Sequence, residues 1–195
     1  MFDLNLTDEQ NSLVETAREF SRDEIMPVAG HLDEEGKFPD DLCKKAFTLG
    51  LMNFEIPAEY GGAGLGVLDT CLVLEELNYG CAGITNVVAA NGLATIPVLE
   101  AGTDEQKRRY LGQLVAEPAF AAFCITEPGA GSDAAGLATT YRVVGDEYVL
   151  NGTKHFISNG TVASWYVVFA THDKKLRHQG ISACVLPADL PGITK

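Results

Sequence analysis

Residues 124–133, Cys124-Ile125-Thr126-Glu127-Pro128-Gly129-Ala130-Gly131-Ser132-Asp133, end an apolar run in hydroxyls, glycines and carboxylates. A second block, Asn151-Gly152-Thr153-Lys154-His155-Phe156-Ile157-Ser158-Asn159-Gly160, has the same character. Each predicts a short apolar strand joined to a turn. Such turns can lay backbone N–H groups and small hydroxyls against a flat ligand with polar edges. Glu127 and Asp133 are the only carboxylates of the first block. Either can serve as a general base, but a carboxylate beside Pro and Gly is expected to fix the turn by accepting backbone N–H bonds.

Several other chemistries are excluded. Gly129 to Ala134 has the G-x-G-x-x-A form of a dinucleotide fingerprint. That fingerprint needs a following helix whose N-terminus faces the pyrophosphate. Here Gly136, Thr139 and Thr140 lead instead toward another strand. No Gly-Lys-Ser/Thr occurs, so there is no P-loop. His31, His155, His172 and His178 stand in no nucleophile or metal motif, and no metal site is expected.

The elements that position the blocks change character midway. Thr7 and Gln10 form a capping box ahead of Leu13, Ala17 and Phe20 at helical spacing, and Pro27 is expected to end that helix. Pro39 opens a second helix, with Leu42, Ala46 and Leu49 on one face and Gly50 as its stop. Residues 57–66 are too rich in Gly and Pro to be anything but a loop. Val67 to Tyr79 predicts a helix buried on most sides, and Ala82 to Leu93 a small-residue helix. Thr103 and Gln106 cap a polar helix running to about Ala116.

From Pro118 the pattern is short β-rich segments: 120–126, 140–144, 148–150, 154–158, 165–171 and 181–186. Gly145-Asp146 and Asn151-Gly152 are hairpin signals between them. The fold class is therefore α+β, an all-helical domain over 1–117 followed by an antiparallel β-domain over 118–195.

Composition bounds the function. Apolar residues are 46% and charged residues 21% of 195, ordinary for a globular chain with a sizeable core. A net charge of −13 argues against nucleic acid and against anionic lipid. Cys43, Cys71, Cys81, Cys124 and Cys184 are scattered, with no C-x-x-C. Free thiols in a reducing compartment are expected, four of them in apolar runs. The opening Met1-Phe2-Asp3-Leu4-Asn5-Leu6 has neither a basic region nor a long apolar stretch, so no signal or transit peptide is expected. Nor is any window expected to reach the ~18–20 apolar residues of a membrane span.

The two blocks resemble the flavin-contacting signatures of the acyl-CoA dehydrogenases. Ile56 to Gly62, Leu74-Glu75-Glu76-Leu77 and the helix opening at Thr103 fit the same family, and Leu77 to Cys81 is similar to its medium-chain members. The resemblance implies an FAD flavoprotein that oxidises acyl-CoA thioesters to trans-2-enoyl-CoA in fatty acid β-oxidation. It implies a homotetramer that passes electrons to electron-transfer flavoprotein. The setting would be a bacterial cytoplasm or a mitochondrial matrix. Phe123, Cys124, Ile125, Thr126, Gly131 and Ser132 would line the flavin, joined by Phe156, Ile157 and Ser158. Family members often carry Trp and Thr where Phe156 and Ser158 stand; the aromatic face and the hydroxyl are kept. Ser132, with Thr85, Asn86 and Ala89 of the small-residue helix, would face the acyl-CoA. The family's catalytic glutamate is expected beyond Lys195, so no catalytic residue is assigned and the 195-residue chain alone is expected to be inactive. The competing expectations are a non-catalytic flavin-, CoA- or subunit-binding module, and a family oxidase in which reduced flavin meets oxygen.

Overall fold

The computed structural model describes residues 5–195. Residues 1–4, on which much of the leader-peptide expectation rests, lie outside them.

Helices come first. α1 (Asp8–Phe20) begins at the Thr7 cap, whose hydroxyl accepts from the Gln10 N–H while the Gln10 side chain accepts from the Thr7 N–H. Pro27 does not end the run as expected. A π-turn at Ser21–Ile25 widens the ladder, and α2 (Met26–Glu35) continues with Pro27 in its first turn, where a missing N–H breaks no regular bond. α3 (Asp40–Thr48) buries Leu42, Cys43 and Ala46 but leaves Leu49 exposed.

α4 (Val67–Gly80) buries only Val73 and Leu77, with Val67, Leu68 and Tyr79 facing outward. The expected burial on most sides is corrected: α4 packs chiefly against α1, with α5 and the π-turn also against it, and Val67, Leu68 and Tyr79 stay exposed. α5 (Ala82–Ala89) and α6 (Asn91–Ala101) replace the single expected helix, with a turn at Ala90. α7 (Asp104–Ala116) starts at the Thr103–Gln106 capping box.

The stretch Ala82–Ala101 is long and apolar enough to cross a membrane, with mean hydropathy 1.4 over its most apolar window, against the expectation that no window is. Its Val, Ile and Leu residues carry that mean. Within the fold the pair supplies buried Ile84, Val88, Ala94 and Val98 to two core clusters, and it buries the polar Thr85, Asn91 and Thr95.

The sheet follows: β1 (Ala121–Cys124), β2 (Thr140–Val144), β3 (Glu147–Asn151), β4 (Trp165–Thr171) and β5 (Ile181–Pro187). The helix-then-sheet order is as expected, but the pairing is mixed rather than antiparallel throughout. β1 runs parallel to the first half of β4, and β2 meets the end of β4 in parallel at Thr140↔Thr171. β2–β3 and β4–β5 are antiparallel. Gly145-Asp146 makes the β2–β3 hairpin. Asn151-Gly152 makes none: the chain leaves the sheet there, and 154–158 is loop.

Alternation along β1 and β4 splits the core. Ala121, Trp165 and Val167 pack with Val98, Leu111 and Leu114 between sheet and helices. Ala122, Cys124 and Tyr166 face the other way, toward Ile157 and Val168. A buried amide pair ties β1 to the helices. Asn91 donates to the Asn53 side chain and to the Ala119 carbonyl, and its oxygen accepts from the Ala121 N–H.

Candidate functional site

Both blocks leave the same region of the sheet, and a web of hydrogen bonds joins them. After β1, Glu127 and Ala130 exchange backbone bonds around Pro128-Gly129, closing a tight turn. The Glu127 carboxylate, 6% exposed, accepts from the N–H groups of Ala138 and Thr139 and from Lys154 Nζ at 2.8 Å. Burial alone raises its pKa. The bonds from Lys154 and from the two backbone N–H groups outweigh burial and hold it at about 2. Glu127 is therefore a fixed anion that shapes the turn, as expected, and not a proton acceptor near neutral pH. Asp133 is exposed and accepts from Arg177 at 2.6 Å.

The second block lies against the first. The His155 N–H donates to the Thr126 carbonyl at 2.9 Å, and Lys154 Nζ donates to the Ile125 carbonyl at 3.1 Å. Sequence reading missed Lys154 as a member of the site. Its only local signal is a lone cation inside a hydroxyl- and glycine-rich block. Further along, Asn159 donates to the Val87 carbonyl, and the Tyr166 hydroxyl donates to the Gly160 carbonyl. Asn86 Nδ2 donates to Ser158 Oγ at 3.0 Å, so two predicted site residues from different domains touch. Gly152 is required where the block crosses β2, because a Cβ would stand 2.3 Å from Thr139 Oγ1.

Phe156 is presented outward. It is 84% exposed, holds a left-handed φ of 56°, and stacks on His155 with ring centroids 3.9 Å apart. A bulky residue held at positive φ while its ring faces solvent stores strain of order 1 kcal/mol or more.

A groove of about 860 Å³ runs beside this block. Cys124, Asn86, Phe156, Ile157 and Ser158 line it, and no Asp or Glu among the described residues does. The predicted residues are not all gathered there. Phe123 turns to the other sheet face against Phe169. Ile125 and Thr126 are bonded to Lys154 and His155 of the lining, while Gly131 and Ser132 lie outside it. Of the three α5 residues only Asn86 reaches the groove. Thr85 is 2% exposed, and its hydroxyl finds no partner among the described residues. The Cys124 thiol is pushed up to about 11 by burial, which Lys154 only partly offsets, so it is a packed thiol and not a nucleophile.

The donor set suits a flat ligand with acceptor edges. The N–H groups of Thr126, Gly131 and Ser132 find no acceptor among the described residues. A Cβ placed on Gly129 or Gly131 would meet nothing within 4 Å, so these backbones border open space into which a ligand can come close.

Comparison with known proteins bears on what that ligand is. The family model described as acyl-CoA dehydrogenase, N-terminal domain, matches residues 7–118, and the one described as acyl-CoA dehydrogenase, middle domain, matches 122–195. A Caenorhabditis briggsae protein named probable medium-chain specific acyl-CoA dehydrogenase 2, mitochondrial, is 43% identical over 100% of this chain and 48% of its own length. The structure of butyryl-CoA dehydrogenase from Megasphaera elsdenii superposes with a TM-score of 0.92 at 35% identity, over 99% of this chain and 52% of that one. A glutaryl-CoA dehydrogenase from Mycobacterium smegmatis, solved in complex with FADH2, superposes with a TM-score of 0.87 at 31% identity, over 97% of this chain and 48% of that one. The chain spans about half the length of each relative.

Proposed function

The chain belongs to the acyl-CoA dehydrogenase family, and from that premise we propose that the protein oxidises acyl-CoA thioesters to trans-2-enoyl-CoA with FAD. The observation that carries this reading is the stitched rim. His155 and Lys154 fasten the second block to Ile125 and Thr126, beside backbone N–H groups that find no acceptor among the described residues and the exposed Phe156. FAD, when bound, supplies the hydride acceptor for the substrate's β-hydrogen; everything else is orientation and polarisation by the protein.

The roles divide by residue. Thr126, Gly131 and Ser132 offer backbone N–H groups, and Thr126 and Ser132 add hydroxyls, to the polar edge of the cofactor. Phe156 offers an aromatic face. Ser158, fixed by Asn86, offers a hydroxyl at the groove. Ile157 and Cys124 form apolar wall and exclude water. Thr85 and Ala89 shape the helix that carries Asn86.

Proton abstraction is not assigned within residues 1–195. No carboxylate lines the groove, Glu127 is held ionised by its partners, and Asp133 is paired with Arg177. We place the base outside these residues, and we place the division between helical and sheet domains after residue 117. The 195-residue chain alone is then expected to form no enoyl-CoA, since loss of a general base costs roughly 10²–10⁴-fold. Electron-transfer flavoprotein as acceptor, a homotetramer as assembly, and a mitochondrial matrix or bacterial cytoplasm as setting complete the proposal.

The test is the visible spectrum of the purified full-length protein. Bound oxidised flavin, bleached by an added acyl-CoA without oxygen uptake, is expected. A colourless protein that does not take up FAD refutes the proposal, and rapid oxygen consumption on bleaching replaces the dehydrogenase with an oxidase.

A further inference from the structure

Beyond fastening the second block to Ile125, Lys154 brings a largely buried cation to a peptide unit of the first block. Its side chain is 10% exposed, and its Nζ lies 2.8 Å from Glu127 Oε1 and 3.1 Å from the Ile125 carbonyl oxygen. The Ile125 carbonyl and the Thr126 N–H are the two ends of one peptide unit. Resonance across that unit couples them: a cation on the oxygen withdraws density from the nitrogen and makes the N–H a stronger donor. A bond from an ammonium is about twice as strong as a neutral one, so the polarisation is substantial. The Thr126 carbonyl is meanwhile occupied by the His155 N–H, which fixes the next peptide plane. The Thr126 N–H itself finds no acceptor among the described residues.

We propose that Lys154 is a positioning residue that sharpens the Thr126 N–H as a donor to the bound flavin and thereby raises the flavin's reduction potential. This rests on the flavin reading given above. Reduction places added electron density on the ring, so a stronger donor at its edge favours the reduced form over the oxidised one. A lysine whose only work was to neutralise Glu127 would have no such effect.

The experiment compares the midpoint potential and the FAD affinity of full-length wild type, Lys154→Met, Glu127→Gln and the double variant Glu127→Gln/Lys154→Met. The double variant leaves the net charge unchanged and buries no lone ion, so it remains a test if Lys154→Met alone does not fold. The potential is expected to fall in both variants lacking Lys154, with the preference for reduced over oxidised flavin weakened by up to about tenfold, the scale of one hydrogen bond. In Glu127→Gln, where the ammonium still sits on the carbonyl, it is expected not to fall. A double variant that binds FAD at the wild-type potential overturns the proposal and leaves the flavin reading standing. An equal fall in Glu127→Gln also overturns it, in favour of simple loss of the ion pair. A wild type that binds no FAD overturns both.

Discussion

Replacing Glu127 by Gln tests the turn that holds the two blocks together. The carboxylate is 6% exposed and accepts three bonds, from Ala138 N–H, Thr139 N–H and Lys154 Nζ. Its pKa of about 2 lies well below the ordinary glutamate value of 4.5. That depression corresponds to about 3 kcal/mol of stability at neutral pH. The direction in pH follows from the depressed value. The contribution is fully present above pH 4.5 and is lost as pH falls toward 2, shrinking to about 1 kcal/mol by pH 3. Gln keeps one acceptor oxygen but loses the charge and leaves the Lys154 ammonium unpaired. Denaturant unfolding of wild type and Glu127→Gln at pH 7 and pH 3 is the assay. A gap of about 3 kcal/mol at pH 7 that narrows at pH 3 is expected. Equal midpoints at pH 7, or a gap of the same size at both pH values, refute the fixed-anion account.

Three further outcomes are expected. Asn91→Leu leaves the Ala121 N–H, the Ala119 carbonyl and Asn53 Oδ1 without their partner, and should cost about 2–4 kcal/mol in the same unfolding assay. Gly131→Ala and Gly152→Ala should separate: the first adds a methyl to open space, leaving unfolding unchanged while weakening FAD binding in a fluorescence titration. The second drives a Cβ onto Thr139 and should destabilise the fold by about 1–3 kcal/mol. Phe156→Gly, relieving a φ of 56°, should leave stability equal or raise it by up to about 1 kcal/mol, yet weaken flavin binding.

What the sequence made legible was local. The capping boxes at Thr7 and Thr103 were readable because cap and partner stand three residues apart. β2 and β4 were readable as β-branched and aromatic runs bounded by turn residues, and they formed over the predicted spans. The carboxylate role of Glu127 followed from its Pro-Gly neighbours. What failed depended on backbone geometry that composition does not mark or on distant partners. Pro27 looked like a stop because the π-turn that accommodates it leaves no mark in composition. Residues 154–158 read as a strand by residue type, but they form no ladder: the His155 N–H and the Lys154 side chain bond to the first block, and the Ile157 carbonyl accepts from Gly160 within its own turn. The parallel pairing of β1 with β4 joins segments more than forty residues apart, beyond any local pattern. Asn86 and Ser158 were each predicted, though not their contact across 72 residues. Thr85 could not be told from its neighbour until the helix was packed, since the two differ only in which way α5 turns them.

A crystal structure of the full-length protein with FAD puts the central claim to its most direct test. The isoalloxazine edge should lie within hydrogen-bonding distance of the Thr126 N–H and Ser158 Oγ, with the Phe156 ring against its face. A cofactor bound elsewhere, with Gly131 and Phe156 still facing open solvent, would contradict the account.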